Sequence, residues 1–236
     1  MGIISNNLHH IQEQIVSACE RSQRDPGGVR LVAVSKTKPA SAVLAAIAEG
    51  QLLFGENRVQ EARDKIPLVS GGVVGDVVMQ WHLIGPLQRN KVKGAVKLFS
   101  MVHSVDSVAL AGELGKRALE PRPLPILVQV NVGREPQKTG FLPEQVIDAI
   151  EQMAMFDGIQ VQGLMTIPPI TPDAEGARPY FRELAQLADR VRGLQIEGVV
   201  MNELSMGMSH DFTVAVEEGA TLVRVGSALF GIRDQG

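Results

Sequence analysis

A single cysteine, Cys19, among 236 residues rules out an internal disulfide. It falls in an apolar-periodic stretch with Ile11, Ile15 and Val16, so it is expected as a buried thiol on a helix face. No apolar run comes near the ~20 residues of a membrane-spanning helix. The opening MGIISNNLHH lacks a charged region followed by an apolar signal core, and Asn6 stands where a myristoylation signal wants Ser or Thr. No membrane partner and a cytoplasmic location are therefore expected. Positive charge is not in excess either: 23 Lys and Arg face 26 Asp and Glu, a net charge of −3, which leaves nothing global to hold a nucleic-acid backbone.

Several chemical signatures are also missing. The five histidines show neither HExxH spacing nor a CxxC companion, so no metal site is expected. Gly71-Gly72-Val73-Val74-Gly75 lacks the Gly-Lys-Ser/Thr ending of a phosphate loop and reads as a plain loop. Ser209-His210-Asp211 has the residue types of a hydrolytic triad, but sequence neighbours cannot stand in relay. The stretch reads instead as a Ser N-cap with a first-turn acid.

What is present is a soluble globular composition, 44% hydrophobic and 21% charged. Short β-branched runs at 31–35, 52–55, 81–85, 101–104, 126–132, 163–167, 203–206 and 222–226 alternate with helix-like segments. The helices are expected at 40–49, 59–66, 89–96, 107–119, 143–155, 174–191 and 211–218, with Gly50 and Gly219 as stops. Arg89, Lys91, Lys93 and Lys97 are expected on a solvated helix face. Eight strands, each followed by a helix, predict an α/β fold, a single (β/α)8 TIM barrel spanning 1–236 with an extra N-terminal helix. A doubly wound sheet is the alternative, but it calls for a glycine-rich turn after the first strand, where this chain has Ser35-Lys36-Thr37-Lys38-Pro39.

In a barrel the reactive groups gather at the C-terminal ends of the strands. Here those ends carry Lys36, Asn57, residues 82–85, His103, Ser104, Asn131, Met165, Thr166, and residues 205–208 and 224–227. Alternation puts Lys36 on the face of Val32 and Val34. If that face points inward, desolvation lowers the pKa of the amine and makes it a Schiff-base nucleophile; if not, the side chain snorkels to solvent. Arg224 interrupts a strand otherwise fit for burial and needs a partner, while Ser205, Gly226 and Ser227 lie after strands seven and eight, the recurrent phosphate site of such barrels. A carbonyl-bearing phosphate ester fits both clues, which leaves pyridoxal phosphate binding and a cofactor-free Schiff-base aldolase open.

The motifs carry a more specific signal. Val34-Ser35-Lys36-Thr37-Lys38-Pro39, Phe54-Gly55-Glu56-Asn57, the run from His82-Leu83-Ile84-Gly85 to Asn90-Lys91, and His103-Ser104-Val105-Asp106 resemble the pyridoxal phosphate homeostasis proteins. Gln129-Val130-Asn131, Lys138-Thr139-Gly140-Phe141, Gly163-Leu164-Met165-Thr166-Ile167-Pro168, Leu204-Ser205-Met206-Gly207-Met208-Ser209 and Val223-Arg224-Val225-Gly226-Ser227 continue the resemblance in order. The resemblance implies a barrel similar to the N-terminal domain of alanine racemase, with pyridoxal 5′-phosphate as an internal aldimine on Lys36. It implies Arg224 against the pyridine nitrogen, Ser205, Gly226 and Ser227 around the phosphate, and Asn57 and Met165 near the ring. The implied role is to carry or buffer the cofactor in vitamin B6 and amino-acid balance, without catalytic residues, with PLP-dependent apo-enzymes as recipients. A monomer is expected from the even charge balance and the lack of an apolar stripe.

One position departs from the pattern: Arg58 stands where the family often has Tyr after Phe-Gly-Glu-Asn. The single tyrosine, Tyr180, lies in a predicted helix, and a two-base racemase commonly draws its tyrosine from a further domain for which the chain leaves no length. An amino-acid racemase is thus disfavoured, although His82, His103 or Lys38 facing the ring would still move protons. The polar loop 133–140 is expected either as a lid or as an ordinary surface loop.

Overall fold

Short runs rich in Val, Leu and Ile pair into strands because both of their faces find apolar cover. They are β1 (Arg30–Val34), β2 (Leu53–Glu56), β3 (Gln80–Leu83), β4 (Met101–Val105), β5 (Leu124–Gln129), β6 (Ile159–Met165), β7 (Glu203–Met208) and β8 (Leu222–Val225). All pairings are parallel and run in chain order, and β8 returns to β1 with Val32 opposite Arg224, so the sheet closes into a barrel. This is the (β/α)8 fold the sequence predicts, and closure removes the doubly wound alternative. The computed structural model describes residues 2–75, 77–118 and 123–231.

Alternation along the strands sorts the core in two. Val32, Val34, Leu53, Ile84, Met101, Leu127, Met165 and Leu222 form an inner cluster. The opposite faces, including Phe54, Leu83, Val102, Val128 and Val223, join the surrounding helices in a larger outer cluster. Phe54 stacks on Trp81 in that outer layer with ring centroids 5.1 Å apart.

The outer helices are α1 (Ile3–Arg21), α2 (Ala40–Ala48), α3 (Val59–Gly72), α4 (Val92–Leu98), α5 (Val108–Arg117), α6 (Val146–Ala154), α7 (Arg178–Gly193), α8 (Phe212–Glu217) and α9 (Ser227–Phe230). On α1, Leu8, Ile11, Ile15, Ala18 and Cys19 are buried, as the spacing predicts, but Val16 points to solvent. The third helix, expected to end at 66, passes Pro67. The helix runs on to Gly72, because its buried stripe of Val59, Ala62, Lys65 and Val69 continues past the proline. Gly71 and Gly72, expected in a loop, therefore close this helix. The helices expected from 89, 143 and 174 begin with short 3-10 turns at Arg89–Lys91, Pro143–Gln145 and Glu175–Ala177. Ser107 caps α5 by accepting from Leu110 N; residue 119, the expected end of that helix, lies outside the described residues. Arg89, Lys93 and Lys97 are exposed, as expected of a solvated face. No described helix is long and apolar enough to cross a membrane.

Candidate functional site

The inward face of β8 carries Arg224, and only 4% of that residue is exposed. Its Nη1 donates to Ser205 Oγ at 2.6 Å and its Nη2 to the carbonyl of Thr166 at 2.8 Å. Arg224 forms no ion pair with a carboxylate among the described residues. Burial lowers its pKa to about 10, so the guanidinium still keeps its proton at neutral pH. Ser205 Oγ also meets His103 Nδ1 at 2.8 Å, and His103 Nε2 meets His82 Nδ1 at 2.9 Å. Burial, then the nearby Arg30 charge, pushes His82 down to about 3; burial, His82 and Arg224 hold His103 well below its ordinary range.

Lys36 is half-buried in the turn after β1, two residues beyond the inward-facing Val34. Thr37 holds a positive φ of 63°, a costly conformation for a β-branched residue. A buried cluster on α3 and the ends of β1 and β2 enforces it. Lys65 Nζ donates to the carbonyl of Ser35 at 2.7 Å, to Glu56 at 2.7 Å and to Glu61 at 2.8 Å, while Ser35 Oγ donates to Glu56 at 2.7 Å. Glu61 also accepts from Thr37 N.

The neighbouring strand ends complete the mouth. Gly226 lies against Val34: a Cβ there would meet Val34 Cβ and the Val34 carbonyl at 3.2 Å. Ser227 is exposed at the start of α9, and Asn57 is half-buried after β2. A Cβ on Gly85 would meet the Asn57 carbonyl at 2.4 Å, so β3 approaches β2 there only because Gly85 has no side chain. Met165 is fully buried in the inner cluster.

Ser209 does not cap α8, as the sequence suggests. Its Oγ accepts from the backbone N–H groups of Gly226 and Ala228, each at 3.3 Å, and Asp211 takes the position before α8. Between the two serines, Gly207 holds a positive φ of 89°, a turn conformation that favours glycine. The sequence groups the loop from Ser205 to Ser209 with Gly226 and Ser227, but reads Ser209 itself as a helix cap and not as a direct partner of the Gly226 segment. Ser205, expected beside a phosphate, has its hydroxyl on Arg224 and His103.

The remaining proton-moving candidates are engaged elsewhere. Lys38 Nζ donates to the carbonyls of Gly231 at 3.0 Å and Phe230 at 3.2 Å. Tyr180 sits on α7 and packs with the outer cluster. The loop 133–140 is anchored by Asn131 Nδ2 on the Glu135 carbonyl at 2.9 Å, by Lys138 Nζ on the Pro168 carbonyl at 2.9 Å and by Arg134 on Glu183 at 2.9 Å. Among the described residues, no group of three or more His, Cys, Asp or Glu side chains could hold a metal ion.

A barrel with a lysine after its first strand and an arginine inside its last belongs to a recognisable class, and the family model for the alanine racemase N-terminal domain matches residues 7–234. The chain belongs to that family and, within it, to the pyridoxal phosphate homeostasis proteins. It is 42% identical over 228 residues to the Aquifex aeolicus protein of that name, covering 96% of each chain. It is 39% identical to the Escherichia coli K12 protein, covering 99% of this chain and 98% of the relative. The structure of PipY from Synechococcus elongatus with PLP bound superposes with a TM-score of 0.79 at 40% identity, covering 94% of this chain and all of that one. Alanine racemase from Corynebacterium glutamicum, at 17% identity and a TM-score of 0.67, shares the fold, and this chain spans 61% of its length.

Proposed function

We propose that this chain carries and buffers pyridoxal 5′-phosphate, attached covalently through Lys36 Nζ, and serves intracellular vitamin B6 and amino-acid balance without turnover. The observation that carries the reading is Arg224: a buried guanidinium with no carboxylate in ion-pair contact among the described residues, Asp211 acting on it only from a distance, in a mouth whose adjacent strands bear Lys36 and Gly226. The donor set fits the cofactor's three polar parts. Lys36 suits the aldehyde, the N–H groups of Gly226 and Ala228 with the hydroxyls of Ser209 and Ser227 suit the phosphate, and Arg224 suits the ring nitrogen.

When bound, the cofactor supplies an aldehyde that condenses with amines and a conjugated ring that draws electrons from the attached group. The protein's part is to hold it. Asn57 and Met165 would hold the ring, Ser205 braces Arg224, and Gly226 would let the backbone come close to the phosphate. Arg224 donates and cannot accept, so a ring nitrogen held by it would stay unprotonated and the ring would be a weaker electron sink. Together with the engagement of Lys38 and the outer position of Tyr180, this favours storage over racemisation. PLP-dependent apo-enzymes are the recipients in this reading, and the chain acts as a monomer in the cytoplasm.

The test is the visible spectrum of protein incubated with pyridoxal phosphate, before and after borohydride reduction, with mass analysis of the Lys36 peptide. A reducible band and a pyridoxyl mass on Lys36, both lost in Lys36→Ala, are expected. Attachment that survives in K36A would overturn the assignment.

A further inference from the structure

The row Arg224, Ser205, His103, His82 crosses the barrel interior from β8 through β7 and β4 to β3, with contacts of 2.6, 2.8 and 2.9 Å and no residue more than 4% exposed. Its hydrogens are fixed by elimination. Arginine only donates, so Ser205 Oγ accepts from Arg224 Nη1. The single serine proton then needs an acceptor, and among the described contacts His103 Nδ1 is the one that remains. If His103 instead donated from Nδ1, the buried serine proton would be left without an acceptor. With Nδ1 accepting, a neutral His103 carries its proton on Nε2 and donates to His82 Nδ1, which puts the His82 proton on Nε2 as well.

We propose that His82 and His103 are positioning residues: with Ser205 they form a one-way hydrogen-bond chain that fixes the orientation of Arg224 toward the cofactor's ring nitrogen. The last clause rests on the cofactor reading above; the tautomers of the chain do not. The surroundings favour uncharged rings. Arg224 on β8 and Arg30 on β1 are both positive, Arg30 is bound to Glu203 on β7, and Asp211 before α8 acts on Arg224 through its charge. Leu53 of β2, Leu127 of β5 and Met165 of β6 line the same interior with apolar surface. Burial pushes both imidazoles down in the same sense. Neither histidine is proposed to touch the reacting atoms.

The chain is tested first in cofactor-free protein by 15N NMR of labelled histidine. The expected result is Nε2–H, Nδ1-bare spectra for His82 and His103 that do not titrate near the ordinary histidine value of 6.5. A proton on Nδ1 of either ring, or titration near that value, would overturn the proposed chain. The second arm compares His103→Leu with His103→Asn, whose amide oxygen can replace Nδ1 as acceptor. His103→Leu should weaken pyridoxal phosphate binding by about 5- to 30-fold and shift the bound absorption band, the equivalent of losing roughly one buried hydrogen bond, while His103→Asn restores most of both. Folded His103→Leu with parental affinity and band position would refute the positioning role. Failure of the parent protein to bind pyridoxal phosphate would instead refute the cofactor reading and, with it, the target of Arg224, leaving the NMR result to decide the chain.

Discussion

Lys65 and Glu56 meet directly beneath the turn that carries Lys36: Nζ lies 2.7 Å from Oε1, with the lysine side chain 8% exposed and the glutamate fully buried. The pair also grips Ser35 through both its hydroxyl and its carbonyl, so the residue before Lys36 is fixed by an ion pair between β2 and α3. Breaking one half of a buried pair leaves the other charge uncompensated.

Lys65→Met should therefore lower the unfolding free energy by about 3–5 kcal/mol in urea denaturation at neutral pH. Burial already raises the Glu56 carboxyl above its ordinary 4.5, against the pull of Lys65 and Ser35. Removing Lys65 raises it further. A carboxyl whose folded pKa is raised favours the folded state at low pH and loses that advantage as pH rises through the folded value. The Lys65→Met deficit should accordingly shrink on acidification, and Glu56→Gln combined with Lys65→Met should recover much of it. A deficit that is independent of pH would remove Glu56 ionisation as its source.

Ser209 gives the second prediction. Its hydroxyl gathers the Gly226 and Ala228 N–H groups, and a phosphate there would gain from the same three polar groups. Ser209→Ala should weaken pyridoxal phosphate by about 5- to 30-fold, the loss of roughly one charge-assisted hydrogen bond, and leave pyridoxal, which lacks the phosphate, nearly unchanged. Titration of both ligands by absorbance separates the two. Equal losses for both would mean that Ser209 acts on the ring or the fold and not on the phosphate.

The parts of this molecule legible in the sequence are those set by local pattern. Short apolar runs with helices between them point to the closed barrel, and alternation along the first strand points Val32 and Val34 inward. The strand-end rule points to Arg224, Gly226 and Ser227 from the sequence alone. What escaped depended on non-local packing. Pro67 reads as a stop, but the cost of one lost backbone bond is outweighed when Val69 remains in the core. Ser209 reads as a helix cap, because nothing near it in sequence announces its bond to the Gly226 N–H seventeen positions on. His103 was visible as a strand-end histidine, but its link to Ser205 spans 102 positions and exists only once the barrel closes.

The outer shell supplies the last prediction, through a clasp of charges that joins α1, α7 and α8. Arg178 reaches Glu217 at 2.6 Å and Glu218 at 2.8 Å, Arg182 adds a bond to Glu218 at 2.8 Å, and Arg21 on α1 binds Glu217 at 2.7 Å. Burial alone would lift both carboxyls, but the guanidinium bonds outweigh it and hold both below their ordinary 4.5. A carboxyl with a depressed folded pKa contributes stability above its unfolded value and loses it as pH falls through the folded one. The melting temperature should thus hold steady around neutral pH and drop on acidification below about 4.5. Glu217→Gln with Glu218→Gln should be less stable than the parent at neutral pH and show a shallower acid drop, as read by circular dichroism melts across the acid range. If the double variant kept the parental slope, the acid sensitivity would reside in other carboxylates and the clasp would be a surface feature of little consequence to the fold.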